Sequence, residues 1–296
     1  MHHLTRSPRF RGSVPGLACR AAWTAVIASA ALALGACSTA GAGAGALSPP
    51  RIAEIVASPD RSDADRSNDL RRKPAQLLAF IGIRPGMVAL DISAGGGYTT
   101  ELLARAVGPA GRVYGQSAAR SARPPPAQPE GAAAPAASAA LAPAGNAPRP
   151  APTGVAARAQ KPGLAHIVAV VQPFENPLPP DVPAGTLDVA TLMFNYHDLG
   201  HMGVDRAQMN RAVFAALKPG GVYVVADHSG RPGTGISEAG TLHRIEESFL
   251  RAEVERAGFR WQASGDFLRN PNDPRDQNTP NPPQPKDEFV LKFVKP

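Results

Sequence analysis

Eleven residues constrain this chain more than any others: Val88-Ala-Leu-Asp-Ile-Ser-Ala-Gly-Gly-Gly-Tyr98. An apolar run, Met87 to Leu90, ends in an acid, Asp91. Small residues follow from Ser93 to Gly97, including Ala94 and Gly95, and an amphipathic run extends from Tyr98 to Val107. The pattern predicts a strand, a glycine turn and a helix start, the βα unit that brings backbone N–H groups close to a nucleotide-like ligand. A side chain in the turn would hold the ligand off the backbone; without one, an anionic group can sit against the helix N-terminus. On turn chemistry alone, the same residues also fit a tight strand-to-helix connection that binds nothing. The flanks decide between these readings.

The chain begins with a basic stretch and then an apolar run, Ala21 to Ala36, interrupted by Thr24 and Ser29. That run is short for a membrane span and has the length of a signal-peptide core, so residues 1–36 are expected to be a leader. It ends Leu34-Gly-Ala-Cys37, which resembles the lipobox of bacterial lipoproteins. The resemblance implies cleavage before Cys37, lipidation of that cysteine, and a membrane partner through the lipid. By the same resemblance, Ser38 after the cysteine implies the outer membrane, reached from the periplasmic side; without use of the leader the chain would be cytoplasmic. Cys19 would leave with the leader, so no disulfide could form within the mature chain. Ser38 to Pro50 then forms a flexible tether. The formal charge of +7 is partly the leader's: without its four arginines, 27 basic residues face 24 acidic ones. A balance of +3 with no basic cluster argues against a nucleic-acid partner.

Residues 51–296 are expected to form one α/β domain. Arg51 to Phe80 reads as helical with a polar middle, in which Asp69 and Arg72 are spaced to pair on one face; that helix is either solvated or laid over a ligand pocket. Tyr98 to Val107 is a helix stopped by Gly108-Pro109. Strands are expected at 111–116, 166–171, 187–194 and 222–226, and a helix between the last two from Asp205 to Leu217. Leu187 to Phe194 is almost unbroken in apolar residues, as a central parallel strand covered on both faces requires. Lys218-Pro-Gly-Gly221 reads as a turn. Thr241 to Ala257 reads as one helix with Leu242, Ile245, Phe249 and Val254 on one side. Phe259–Leu268 and Glu288–Val294 alternate as a terminal antiparallel hairpin, and the loop between them is long enough to be a flap. Residues 117–160 are nearly all Ala, Pro, Gly, Ser and Arg, too poor in apolar residues to offset their chain entropy; disorder is expected there, with a short helical remnant at 155–160.

The spacing does not fit G-x-G-x-x-G. It resembles instead the first motif of class I S-adenosylmethionine-dependent methyltransferases, D/E-x-G-x-G-x-G, through Asp91, Ser93, Gly95 and Gly97, with Ser93 in place of the first glycine. LKPGG followed by an apolar strand is a second mark of that family. NYHDLGHMGVDR, ADHSG and TLHRIEES together look like a group of predicted bacterial methyltransferases that often carry signal peptides. The resemblance covers 51–296 apart from the insert. It implies a seven-stranded Rossmann-like sheet, mostly parallel with a C-terminal antiparallel hairpin, S-adenosylmethionine as cofactor, and a small-molecule methyl acceptor. It also implies that the second strand ends in a ribose-binding acid. By the resemblance that position falls to Gln116, whose amide offers one neutral acceptor in place of a carboxylate. Phe174 and Glu175, just past the third strand, are implied beside the adenine, and Asn195 at the cofactor's edge.

Methyl transfer from a sulfonium is an in-line displacement that needs alignment, and a base when the acceptor carries a proton. His197 and His228, each at a strand's C-terminal edge, are the candidate bases. Asp198 and Asp227 are placed to orient them, and Tyr196 to hold an acceptor. Each histidine alone also fits a structural role. A competing reading gathers His197, Asp198, His201, Asp227, His228, His243 and Glu246 as metal ligands, since His197/His201 and His243/Glu246 are spaced for one helical face; no spacing is decisive, and no metal is assigned on sequence. A lipid anchor would place the domain where S-adenosylmethionine is not expected. The second functional reading is therefore a non-catalytic envelope lipoprotein whose methyltransferase fold binds another ligand or protein.

Overall fold

The computed structural model describes residues 45–119, 153–280 and 282–296; the leader, Cys37 and most of the Ala/Pro-rich insert lie outside them. Helices α1 (Pro49–Val56), α2 (Asp63–Arg72) and α3 (Pro74–Ile81) precede strand β1 (Val88–Ile92), and the glycine turn leads to α4 (Tyr98–Val107) and β2 (Arg112–Ser117). After the insert come α5 (Gly154–Arg158), β3 (Ile167–Val171), β4 (Leu187–Met193), α6 (Tyr196–His201), α7 (Arg206–Ala216) and β5 (Leu217–His228). The chain ends with α8 (Ala239–Leu242), α9 (Glu247–Arg256), β6 (Arg260–Gly265) and β7 (Glu288–Val294). The seven strands form one sheet in the order β3-β2-β1-β4-β5-β7-β6. The first five are parallel, and β7 lies antiparallel between β5 and β6.

Apolar side chains alternate through the central strands to fill both faces. Leu90, Leu192 and Val225 pack in one core, and Ala89, Val189 and Val224 in the other. Strand order reverses between β1 and β4, so their C-terminal ends flank the crevice where open α/β sheets bind ligands.

Four expectations change. The helical stretch 51–80 is three helices, because the Ser62 hydroxyl caps a new start by accepting from the Asp65 N–H at 3.1 Å, and Lys73 turns left-handed before Pro74. Asp69 does not pair with Arg72; it accepts two 2.7 Å hydrogen bonds from Arg61 and one of 2.6 Å from the Tyr98 hydroxyl. The helix expected over 241–257 is broken after Leu242: Ile245 donates to His228 O and accepts from Gly230 N–H, while Arg244 is wholly buried against Asp273. That pair also fastens the loop read as a flap, since Asp273 accepts from the Asp287 N–H at 2.6 Å and Asp287 from the Asn270 N–H at 2.8 Å. Lys218 to Gly221 is a bulge at the start of β5, not a separate turn. In the insert, the described residues from 153 carry α5, close to the expected remnant.

Candidate active site

The glycine turn lies at the C-terminal end of β1 and is built to leave backbone bare. Ser93 is left-handed, with φ of 57°, the conformation for which a glycine would be the unstrained choice. Its side chain offsets part of that cost by donating from Oγ to Asn195 Oδ1 at 2.5 Å, which bridges the switch point between β1 and β4. Gly96 has ordinary backbone, and a Cβ there would meet nothing within 4 Å. Beside the turn opens a cavity of about 670 Å³, lined by Ser93, Gly95, Gly96, Ser117, Ala118 and Phe174 among others.

The cavity receives only part of the residue set expected to hold a cofactor. Ser93, Gly95 and Phe174 face it. Asp91 is sealed below the turn, where its carboxylate accepts from the Thr100 hydroxyl at 2.6 Å and the Thr191 hydroxyl at 2.9 Å; burial pushes its pKa up to about 6. Gln116 is likewise buried. Its Oε1 accepts from the Ser93 N–H at 2.9 Å and its Nε2 donates to Gln172 O at 2.7 Å, so the amide ties β1 to β3 and leaves the cavity to the next residue. Successive strand side chains point to opposite faces, and that residue is Ser117. Ala94 packs at the edge of the core. Gly97 faces Arg158, whose Cδ lies 2.7 Å from where a Cβ would stand. Glu175 turns away to accept from the Asp205 N–H at 3.2 Å, at the start of α7.

Ser117 and Arg72 add to this region. Ser117, not Gln116, takes the position at the end of β2 that faces the cavity. Arg72, on α2, lies with its guanidinium 4.5 Å from the centre of the Phe194 ring and 5.5 Å from that of Tyr98, with Nε buried and unpartnered among the described residues. Burial and the neighbouring Arg71 charge lower its pKa, against Glu288 and Asp91. The lead-in helix thus brings a cation against Tyr98, the first residue of α4 after the turn.

Beyond Asn195, the strand ends of β4 and β5 carry a histidine cluster. Asn195 donates from Nδ2 to Asp198 Oδ2 at 2.9 Å. Asp198 Oδ1 lies 2.8 Å from His243 Nδ1, 3.1 Å from His197 Nε2 and 3.9 Å from His201 Nδ1. On the other side, Asp227 accepts from the His197 N–H at 2.8 Å and faces His197 Nδ1 at 2.6 Å. Because a carboxylate only accepts, Nδ1 carries a proton toward Asp227, and Nε2 is turned to the second carboxylate, Asp198. Burial disfavours the charged ring, but the Asp227 hydrogen bond and the charges of Asp227 and Asp198 outweigh it, so the His197 pKa is raised.

His228 stacks beside this group, its ring centre 5.5 Å from that of His197. Burial holds its pKa below the ordinary histidine value despite Glu288, whose Oε1 lies 3.1 Å from Nδ1 but off the line of a hydrogen bond. Two other expected residues lie elsewhere. Tyr196 is fully buried, donating to Glu253 at 2.9 Å and accepting from Asn210 at 2.8 Å, so it belongs to the core and does not meet an acceptor. Glu246 accepts from the Gly233 and Gly235 N–H groups and the Ser248 hydroxyl; it stands at the start of α9, outside the cluster.

No protein-family model matches the chain, and no curated protein matches it. Solved structures do. An S-adenosylmethionine-dependent methyltransferase from Aquifex aeolicus superposes with a TM-score of 0.50 at 18% identity, over 84% of this chain and 100% of that one. A chain from the complex of the Haloferax volcanii Trm112 methyltransferase activator with a methyltransferase gives 0.50 at 16% identity, over 79% of this chain and 93% of that one. At these identities, the likeness establishes the fold: a seven-stranded Rossmann-like sheet of the class I methyltransferase type.

Proposed function

We propose that this chain is an S-adenosylmethionine-dependent methyltransferase acting on a small-molecule acceptor. The observation that carries the proposal is the bare turn at Gly95 and Gly96 opening onto the cavity at the C-terminal edge of the sheet. That cradle fits a nucleoside cofactor at its backbone, and Phe174 offers an aromatic face for an adenine. The diol end fits less well: Ser117 stands there with a neutral hydroxyl, and no carboxylate lines the cavity among the described residues. Arg72, a cation packed against the Tyr98 ring that follows the turn, is the group that would take the cofactor's carboxylate. When bound, the cofactor supplies a sulfonium methyl group for in-line displacement.

The chain's own part is alignment and proton handling. The Ser93–Asn195 bond couples the turn to the strand ends that carry the histidines, so the two halves of the crevice hold a fixed distance. His228, neutral at pH 7 because its pKa lies below the ordinary histidine value, can take a proton from an acceptor, with Nε2 the atom left for that task. His197, bracketed by Asp227 and Asp198, orients the edge from within.

Calorimetric titration with S-adenosylmethionine tests the proposal. Gly96→Leu leaves the backbone unstrained and fills only open space, so it should fold normally and lose binding. A folded wild-type protein that binds no S-adenosylmethionine would contradict the proposal. It would favour the second reading, a non-catalytic binding protein, for which the neutral hydroxyl of Ser117 at the end of β2 is the supporting observation.

A further inference from the structure

The histidine cluster gathers three imidazole nitrogens around one carboxylate oxygen. Asp198 Oδ1 faces His243 Nδ1 and His197 Nε2 at 2.8 and 3.1 Å, with His201 Nδ1 at 3.9 Å. His197 Nε2 and Asp198 Oδ1 face each other at 3.1 Å, a pairing that is met either by a proton on Nε2 or by a cation held between the two. One donor atom from each of His197, Asp198 and His243 lies within 4.8 Å of the others. Around an ion with bonds of about 2.0–2.2 Å, tetrahedral donors stand about 3.3 Å apart, so the spacings seen need to open by only a few tenths of an ångström.

Three further features agree. Asp227 accepts from His197 Nδ1, the carboxylate–histidine arrangement that fixes the tautomer and aims Nε2 at a metal. The break after α8 puts His243 in a left-handed conformation, φ 51°, and carries its ring to within 5.5 Å of the His197 ring; an unbroken helix would not. Side-chain exposure of 25% at Asp198 and 40% at His243 leaves the cluster open to solvent, and His201 Nδ1, 3.9 Å from Asp198 Oδ1, is an imidazole available as a fourth ligand.

We propose that His197 Nε2, Asp198 and His243 bind one divalent transition-metal ion, with zinc the best match to two imidazoles and a carboxylate. Magnesium and calcium, which take oxygen ligands, fit this set poorly. The proposal does not rest on methyl transfer, because its readout is metal occupancy.

The test uses the purified full chain, stripped with a chelator, shown to be folded by circular dichroism, and titrated with Co²⁺ and then with competing Zn²⁺. The expected result is one Co²⁺ per chain with the visible absorption of a low-coordinate site, displaced by Zn²⁺. His243→Ala and Asp198→Ala should each weaken affinity at least tenfold, whereas Glu246→Gln should leave it unchanged. Asp227→Asn, which removes only the orienting group, should cost tenfold to a hundredfold. A folded wild-type chain that takes up no ion would overturn the proposal. So would uptake unchanged in His243→Ala, which would point to other imidazoles such as His2 and His3.

Discussion

Arg72 shows how a single side chain separates function from stability here. Its Nε is buried without a partner, which costs free energy, while the Phe194 and Tyr98 rings repay part of that cost through cation–π contact. The two terms are of similar size and opposite sign. Arg72→Met should therefore leave stability within about 1 kcal/mol of wild type by thermal unfolding. If Arg72 takes the cofactor's carboxylate, the same substitution should weaken S-adenosylmethionine binding about tenfold or more, the scale of a charged hydrogen bond. Unchanged affinity would remove Arg72 from the site. The sequence singled out this residue but paired it with Asp69, since helical spacing reveals neighbours on one helix and not the rings contributed by β4 and α4. The exchange of Gln116 for Ser117 has a related cause. Strand side chains alternate, so a one-residue error in locating a strand's end moves the chosen residue to the other face.

Between elements, α2, α4 and α5 are joined by charges that would be costly to leave unpaired. Glu101 is buried and accepts from Arg105 at 2.7 Å, Lys161 at 2.9 Å and Arg158 at 2.5 Å, and Arg158 also makes a two-pronged contact with Asp65. Arg158 Nε donates to Gly96 O at 2.5 Å, so the same residue clamps the glycine turn. Arg158→Ala should destabilise the fold by about 3 kcal/mol in chemical unfolding, since it strips a partner from two buried carboxylates. A change below about 0.5 kcal/mol would place these charges among ordinary surface pairs. Elements with strong local patterns were legible: α4 has the expected residues, and β7 the expected bounds. The break between α8 and α9 was not, because Arg244 and its partner Asp273 are 29 positions apart. Helical periodicity across Leu242, Ile245, Phe249 and Val254 hides a break made by contacts that distant.

Over the whole sheet, the crevice divides at the switch point. The ends of β1, β2 and β3 surround the cavity beside the glycine turn, and the ends of β4 and β5 carry the histidines; Ser93 and Asn195 join the two halves. The seven-stranded, mostly parallel sheet and its terminal hairpin followed from the sequence and its family resemblance. The division of labour within the crevice did not, because it depends on which side chains turn inward at each strand end. The central claim is that the cavity takes a nucleoside whose diol meets Ser117. The most direct measurement is the S-adenosylmethionine affinity of Ser117→Asp beside wild type. A carboxylate in place of a hydroxyl exchanges a neutral hydrogen bond for a charged one, a gain of about 1 kcal/mol, so binding should tighten about fivefold to tenfold. Affinity that is unchanged or weaker in a folded Ser117→Asp protein would contradict the placement of the cofactor in this cavity.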